Sequence, residues 1–324
     1  MSSDRPEMRA AVITGPGRVR VTHLARPEPG AGEVLVRIEG SGVCGSNAPV
    51  WEGRSWFEYP QPPGTPGHEG WGRIEAVGEG VEGLEVGQRV AALSYHAFAE
   101  YDVAPADAVV PLPAALDDIP FPGEALGCAF NVCRRAGFEA GQTVAVVGVG
   151  FLGAVVVQRA VRAGAEVIAI SRRASALEAA RRYGAAETIA LENHDAVVER
   201  VRSLTGGQGC DVVVEAVGLQ GPLDLAGELT RERGRLVIAG YHQDGKRQVD
   251  LQLWNWRGLD VINAHERAAS AYVRGMREAV EAVASGDLDP TPLFTHAFPL
   301  DRTGEALHAL RERPAGFMKA LVLP

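Results

Sequence analysis

Lysine is almost absent from this 324-residue chain: Lys246 and Lys319 are the only two, and arginine supplies the other basic side chains. Acidic groups outnumber Lys and Arg by 41 to 32, for a net charge of -9. No surplus of positive charge is there to meet phosphates, which excludes a general nucleic-acid binder. Cysteine is scarce too. Cys44, Cys128, Cys133 and Cys210 include no C-x2-C pair, which excludes a disulfide-stapled scaffold and a four-cysteine zinc knuckle. The first 15 residues hold no apolar segment of signal-peptide length. The longest uncharged run, 140–158, has the length of a membrane span, yet Gly141, Gly148, Gly150 and Gly153 interrupt it. A strand, a turn and a helix account for it better. Internal repeats and low-complexity tails are missing. What remains is an ordinary globular composition, 46% hydrophobic and 23% charged, at a length that suggests two domains. A cytoplasmic protein without membrane or nucleic-acid partners is expected.

Residues 1–120 have a β-rich texture. Short alternating runs at 33–38, 72–77 and 89–93 are bounded by Gly and Pro. The segment 59–67 is so rich in proline that it cannot be a helix. Near Pro120 the texture changes. A helix is predicted over 122–137, a fully buried strand at 143–147, and a helix over 152–163. A strand at 166–170, a helix over 174–183, and strands at 211–215 and 235–239 follow. Continuous β-branched strands alternating with helices imply a parallel sheet covered on both faces. The stretch 271–284 places Val273, Met276, Val280 and Val283 on one helical face. From about residue 290 short strands return, ending in 318–323. The expected organisation is a first domain over 1–120, a doubly wound α/β domain over 121–288, and a return to the first domain over 289–324.

Gly148-Val-Gly150-Phe151-Leu152-Gly153 follows the strand at 143–147 and opens a helix. In that position G-x-G-x-x-G is a dinucleotide fingerprint. The first glycine permits the tight turn, the second lets the backbone approach a pyrophosphate, and the third lets helix and strand pack closely. The phosphate charge sits at a helix N-terminus with free N–H groups. The second strand ends Ile170-Ser171-Arg172-Arg173, with no carboxylate to take a ribose 2′-hydroxyl. Two guanidinium groups suit a 2′-phosphate instead, so NADP is predicted over NAD.

Three further segments carry metal-ligand residue types. They are G-V-C-G-S-N at 42–47, G-H-E at 67–69 and P-G-E-A-L at 122–126. Cys, His and Glu all ligate zinc, and three protein ligands leave a fourth position open for chemistry. With V-G-x-G-V at 77–81, G-Q-R-V at 87–90, A-F-A-E-Y at 97–101, the 148–153 glycines and the 211–218 segment, the chain resembles the zinc-dependent medium-chain dehydrogenase/reductase family. The resemblance spans nearly the whole chain. It implies an α/β protein in which a GroES-like β-rich catalytic domain joins a Rossmann domain, with the active site in the cleft between them.

The same resemblance implies Cys44 and His68 as catalytic zinc ligands. Glu124 is the third, by the polyol-dehydrogenase pattern, with Cys128 as the alternative. Glu69 is implied as the carboxylate beside the metal, and Ser46 as the hydroxyl that hands the substrate proton away. Gly218 joins Gly148, Gly150, Phe151, Leu152, Gly153, Ser171, Arg172 and Arg173 as cofactor-binding residues. The four-cysteine lobe of members with a structural zinc is missing between Val90 and Phe98, so one zinc per chain is expected. Pro49 stands where many alcohol dehydrogenases carry a relay histidine, and His96 is a candidate substitute. Ser94, Tyr95 and His96, with the aromatic residues of 51–57, are candidate walls for the substrate. The implied activity is reversible hydride transfer between a small alcohol or polyol and its carbonyl. The alternatives are a zinc-independent NADPH reductase of enones or quinones, and a non-catalytic dinucleotide-binding protein. The segment 254–262 resembles the family's late Rossmann strand, which pairs between subunits, so a homodimer or homotetramer is implied.

Overall fold

A computed structural model describes residues 6–324. The chain divides into two compact units, Met1–Gly127 with Ala268–Pro324, and Cys128–Arg267.

The first unit opens with a hairpin, β1 (Glu7–Gly15) against β2 (Arg18–Ala25). Then come β3 (Glu33–Gly42), a 3-10 turn at Gly45–Asn47, the short helix α1 (Ala48–Glu52), and β4 (Glu69–Val77). Strands β5 (Arg89–Ala92), β6 (Tyr101–Pro105) and β7 (Val109–Pro111) lead to helix α2 (Gly123–Ala136), whose first turn closes this part of the unit.

The second unit alternates strands and helices in the expected way. Its elements are β8 (Thr143–Val147), α3 (Phe151–Arg162), β9 (Glu166–Ser171), α4 (Ala174–Arg182), β10 (Glu187–Ala190), α5 (His194–Leu204), β11 (Cys210–Glu215), α6 (Gln220–Leu229), β12 (Thr230–Ile238), α7 (Leu251–Arg257) and β13 (Asp260–Asn263). All six strands run parallel in the order β10-β9-β8-β11-β12-β13. The order reverses direction between β8 and β11, which makes a doubly wound sheet with its switch point at that pair. The strands are buried through Ala145, Val147, Ile168, Ile170, Val213 and Leu236, with Val197, Val201, Leu225 and Leu229 from the helices filling the same core.

The segment 254–262 does not form one strand. Residues 254–257 belong to α7, because Asp250 caps the helix by accepting from Leu253 N and Gly258 ends it at φ 60°. Only Asp260–Asn263 pairs with the sheet.

The chain then returns to the first unit through α8 (Ala269–Ala284), β14 (Phe294–Pro299), α9 (Thr303–Glu312) and β15 (Lys319–Leu323). The domain boundary read from the sequence grouped α8 with the α/β segment. In the structure α8 lies in the first unit, where buried Met276 packs on Gly123 and Gly127. A Cβ at Gly127 would stand 2.9 Å from Met276 N, so the missing side chains let the two helices meet.

The first unit's main sheet runs β14-β15-β3-β4-β5-β7, with β6 also on β3. Its register matters for function. Antiparallel pairing sets Gly42 opposite Glu69 across β3 and β4, and Leu321 opposite Gly42 across β15 and β3. Three strands therefore meet at Gly42. Close approach needs glycine there, since a Cβ at Gly42 would fall 1.8 Å from Glu69 Oε2.

Candidate metal centre and dinucleotide turn

Cys44 leaves the end of β3 and caps the 3-10 turn that follows. Its backbone N donates to Asn47 Oδ1 at 2.9 Å, and Asn47 Nδ2 donates to Pro66 O at 3.3 Å. The same Pro66 carbonyl accepts from His68 Nδ1 at 2.8 Å. One carbonyl thus ties the cysteine turn to the histidine loop. It also fixes the imidazole tautomer, because a carbonyl only accepts. His68 Nε2 is the nitrogen turned toward the other ligand candidates, the arrangement that orients metal-binding histidines.

Ligand atoms of Cys44, His68 and Glu69 lie within 4.8 Å of one another. Ligands about 2.0–2.3 Å from a shared zinc stand no more than about 4 Å apart, so a small side-chain rotation closes the remaining gap. Glu124, buried in the first turn of α2, places Oε2 4.0 Å from His68 Nε2. Cys128 is half-buried one turn further along α2 and falls in the second unit. The structure therefore brings Cys44, His68, Glu69 and Glu124 together in the first unit.

The electrostatics of this cluster demand a cation. Burial alone would lower the basicity of His68. The hydrogen-bonded Cys44 and the carboxylates of Glu124 and Glu69 outweigh it and push the imidazole up to about 10. Glu69 itself is 0% exposed. Lys319 Nζ, at the start of β15, donates to its Oε1 at 2.6 Å and lies 2.5 Å from Oε2. Oε2 nonetheless has no aligned hydrogen bond. A sulfur, an imidazole nitrogen and a carboxylate oxygen make a donor set that fits a divalent zinc.

Lys319 and Asn47 are functional neighbours that the sequence reading missed. The signal for Lys319 was there: a lysine in a lysine-poor chain, flanked by Met318 and the apolar 320–323. Ser46 is half-buried within the 3-10 turn, two residues from Cys44. Pro49 is buried in α1. Tyr95 is 66% exposed, and its ring centroid is 6.2 Å from that of His68. His96 is exposed and uses Nδ1 to bind Pro63 O at 2.9 Å.

In the second unit the glycine turn follows β8 as expected. Gly148 has φ 101°. A Cβ on Gly153 would fall 2.0 Å from Gly148 O, whereas a Cβ on Gly150 would meet nothing within 4 Å. The first and third glycines are thus required by the fold itself. The middle one leaves open space at the N-terminus of α3, where no side chain caps the helix. Phe151 is buried and Leu152 half-buried. Beyond β9, buried Ser171 accepts from Arg173 N at 3.3 Å, and the Arg173 guanidinium donates to Val149 O at 3.2 Å. Arg172 is exposed. Gly218, at φ 85°, donates its N–H to Glu215 Oε1 at 2.8 Å. An uncapped helix start, an open glycine and two arginines past the second strand suit a phosphorylated dinucleotide.

Comparison with known proteins gives the family. Residues 30–114 match the alcohol dehydrogenase GroES-like domain, and residues 152–285 match the zinc-binding dehydrogenase domain. Human sorbitol dehydrogenase is 28% identical, over 95% of this chain and 94% of that protein. This chain belongs to the zinc-dependent medium-chain dehydrogenase/reductase family. L-threonine 3-dehydrogenase of Bacillus subtilis (strain 168) is also 28% identical, over 94% of both chains. Among solved structures, a zinc-binding dehydrogenase of Sinorhizobium meliloti 1021 bound to NADP matches with a TM-score of 0.84 and 26% identity, over 99% of this chain and all of that one. This medium-chain dehydrogenase is therefore an NAD(P)-linked, alcohol dehydrogenase-like oxidoreductase, a Rossmann sheet joined to a GroES-like domain.

Proposed function

We propose that Cys44, His68, Glu69 and Glu124 hold a single catalytic zinc, and that the enzyme interconverts a small polyol or related alcohol with its carbonyl using NADP(H) in preference to NAD(H). The observation that carries this is the convergence of a sulfur, an imidazole nitrogen and a carboxylate within 4.8 Å. The polyol assignment is supported by a glutamate rather than a cysteine at position 124, and by the sorbitol dehydrogenase relative.

When bound, zinc supplies a Lewis acid that lowers the pKa of a substrate hydroxyl, and the nicotinamide supplies the hydride acceptor or donor. The chain's own groups do the rest. Cys44 and His68 offer ligand atoms, and the bond from His68 Nδ1 to Pro66 O holds the ring with Nε2 aimed toward Glu124. Glu124 adds a second carboxylate beside the imidazole. Ser46 Oγ takes the proton released by the substrate hydroxyl and returns it in the reverse direction. Pro49 offers no onward donor, so that proton leaves by another route. Arg172 and Arg173 receive the 2′-phosphate. The N–H groups of 150–153 receive the pyrophosphate.

Oligomer and compartment are part of the same reading. Strand β13 is the edge of the six-stranded sheet, with Val261 exposed on it and Leu251 and Trp256 exposed on the preceding helix. Pairing through this edge would form a homodimer and cover that apolar surface. No helix among the described residues is long and apolar enough to cross a membrane. Four free thiols suit the reducing cytoplasm.

Elemental analysis of the purified enzyme, joined to NADPH and NADH titrations, tests the reading. One zinc per chain and tighter NADPH binding are expected. A chain that turns over fully loaded with cofactor and free of metal would overturn it.

A further inference from the structure

Glu215 ends β11 and is 0% exposed. None of the chemistry above uses it. A carboxylate so deep in a parallel sheet must have its lone pairs satisfied. Its Oε1 accepts from Val217 N at 2.7 Å and Gly218 N at 2.8 Å. Its Oε2 accepts from His242 Nε2 at 2.8 Å. His242 lies just past the end of the neighbouring strand β12. Its other nitrogen accepts from Arg247 Nε at 3.1 Å. Arg247 Nη2 in turn donates to Gly218 O at 2.9 Å and pairs with Asp244 at 2.5 Å. The chain of bonds starts and ends on the 215–218 turn.

The backbones of the two turns also touch. Ala239 N and Gly240 N donate to Glu215 O at 2.8 and 2.9 Å. A Cβ on Gly240 would fall 2.2 Å from Gly218 N, and one on Gly218 would fall 2.4 Å from Tyr241 O. Apolar packing would hold two turns at lower desolvation cost than a buried carboxylate and imidazole. The polar network does what apolar packing does not: it fixes orientation.

The place of this clasp in the sheet gives it a role, which rests on the dinucleotide reading proposed above. In a doubly wound sheet the ligand lies across the carboxyl ends of the strands at the switch point. Here Ser171 ends β9 and Arg172 and Arg173 follow it on one side, and the glycine turn follows β8. If the adenosine 2′-phosphate lies over β9 and the pyrophosphate over β8, the other half of the dinucleotide extends over β11 and β12. We propose that Glu215, His242 and Arg247 are positioning residues for the nicotinamide half of the cofactor. They clamp the 215–218 and 239–242 turns into a rigid backbone wall for the amide-bearing ring.

The test compares two ligands on the full-length, zinc-loaded enzyme by calorimetry. NADPH carries the nicotinamide, and 2′-phospho-ADP-ribose lacks it. His242→Leu should weaken NADPH about tenfold, the scale of one or two misaligned hydrogen bonds. It should leave 2′-phospho-ADP-ribose within about twofold of the wild type, and His242→Gln, which keeps a donor for Glu215, should recover most of the loss. Arg247→Met leaves Glu215 paired, so it tests the idea where His242→Leu fails to fold. It should show the same split at about threefold. Equal weakening of both ligands, or NADPH binding unchanged in both variants, would overturn the proposal. Wild-type enzyme that binds neither ligand would instead overturn the dinucleotide reading beneath it.

Discussion

In the first unit the candidate metal-binding atoms belong to side chains: the thiol of Cys44, the imidazole of His68, and the carboxylates of Glu69 and Glu124. In the second unit the candidate dinucleotide turn works through side chains that are missing, at Gly148, Gly150 and Gly153. The contrast has consequences for what substitution does. A cluster of charged side chains is balanced internally, with the imidazole of His68 and the ammonium of Lys319 answering the thiol and the carboxylates, so removing one ligand destroys the chemistry and shifts that balance. A turn made of absent side chains has no group to remove. It fails only when something is added, and where the addition points decides whether the fold or the ligand suffers.

The largest effect should come from the side-chain cluster. Cys44→Ser or His68→Ala removes a zinc ligand, and with it Lewis-acid stabilisation worth several kcal/mol. Turnover should fall on the order of a thousandfold or more, with bound zinc lost in elemental analysis; without metal, Cys44→Ser should melt close to the wild type and His68→Ala lower, because the imidazole is the cation that the thiol and carboxylates face. If metal-free melting collapses, the ligands are structural and the contrast breaks.

Lys319→Met sharpens the comparison from the stability side. It leaves Glu69 buried and unpaired, and breaking a buried ion pair costs about 3–5 kcal/mol. Metal-free enzyme should lose most of that. Zinc-loaded enzyme should lose clearly less, because Glu69 then faces a cation. Melting curves with and without a chelator measure both. Equal losses would mean that Glu69 answers to Lys319 alone and has no part in metal binding.

In the glycine turn, two substitutions of the same kind should part company. Gly150→Ala adds a methyl group where nothing lies within 4 Å, so the enzyme should melt at the wild-type temperature. The added methyl group would occupy space needed by the pyrophosphate, and NADPH should bind about tenfold more weakly, the scale of 1.4 kcal/mol. Gly153→Ala places its methyl group 2.0 Å from Gly148 O and should lower the melting temperature first. Identical behaviour of the two variants would remove the distinction between a ligand-facing and a packing glycine.

How much of this was legible in the sequence follows the same divide. The dinucleotide turn is contiguous, so strand 143–147, the glycines and the start of α3 could be read from local pattern, and β8 has those same limits. The candidate metal centre joins residues from the turn after β3, the loop before β4, β4 itself and α2, which no local periodicity connects. Only the resemblance to a known family placed them together. Lys319 is 250 residues from Glu69, and the antiparallel register that joins them through Gly42 is a property of the folded sheet. The helical face of 271–284 was readable, but not the surface it covers, because Gly123 and Gly127 announce a docking site only once α8 lies on them. The hairpin of β1 and β2 escaped notice for a different reason. Strand β2 has no fully buried position, so its pattern carried little contrast.

The smallest effect should appear at the arginines after β9, where both materials of the comparison meet. Arg173 donates to the carbonyl of Val149, inside the glycine turn, so its guanidinium is held next to the backbone that receives phosphate. Arg172 is exposed and more freely solvated. A charge-assisted hydrogen bond to a phosphate contributes about 1.5–3 kcal/mol, with the low end expected at an accessible site. Arg173→Ala should therefore lower the NADPH-over-NADH preference about tenfold, and Arg172→Ala only a few-fold. NADH binding, which involves no 2′-phosphate, should stay within about twofold in Arg172→Ala. In Arg173→Ala it should weaken slightly more, because the Val149 carbonyl loses its donor and the glycine turn loosens. Raising salt should shrink the Arg172 effect first, since exposed charges are screened more than buried ones. A double variant that still prefers NADPH tenfold would move cofactor choice away from the end of β9 altogether.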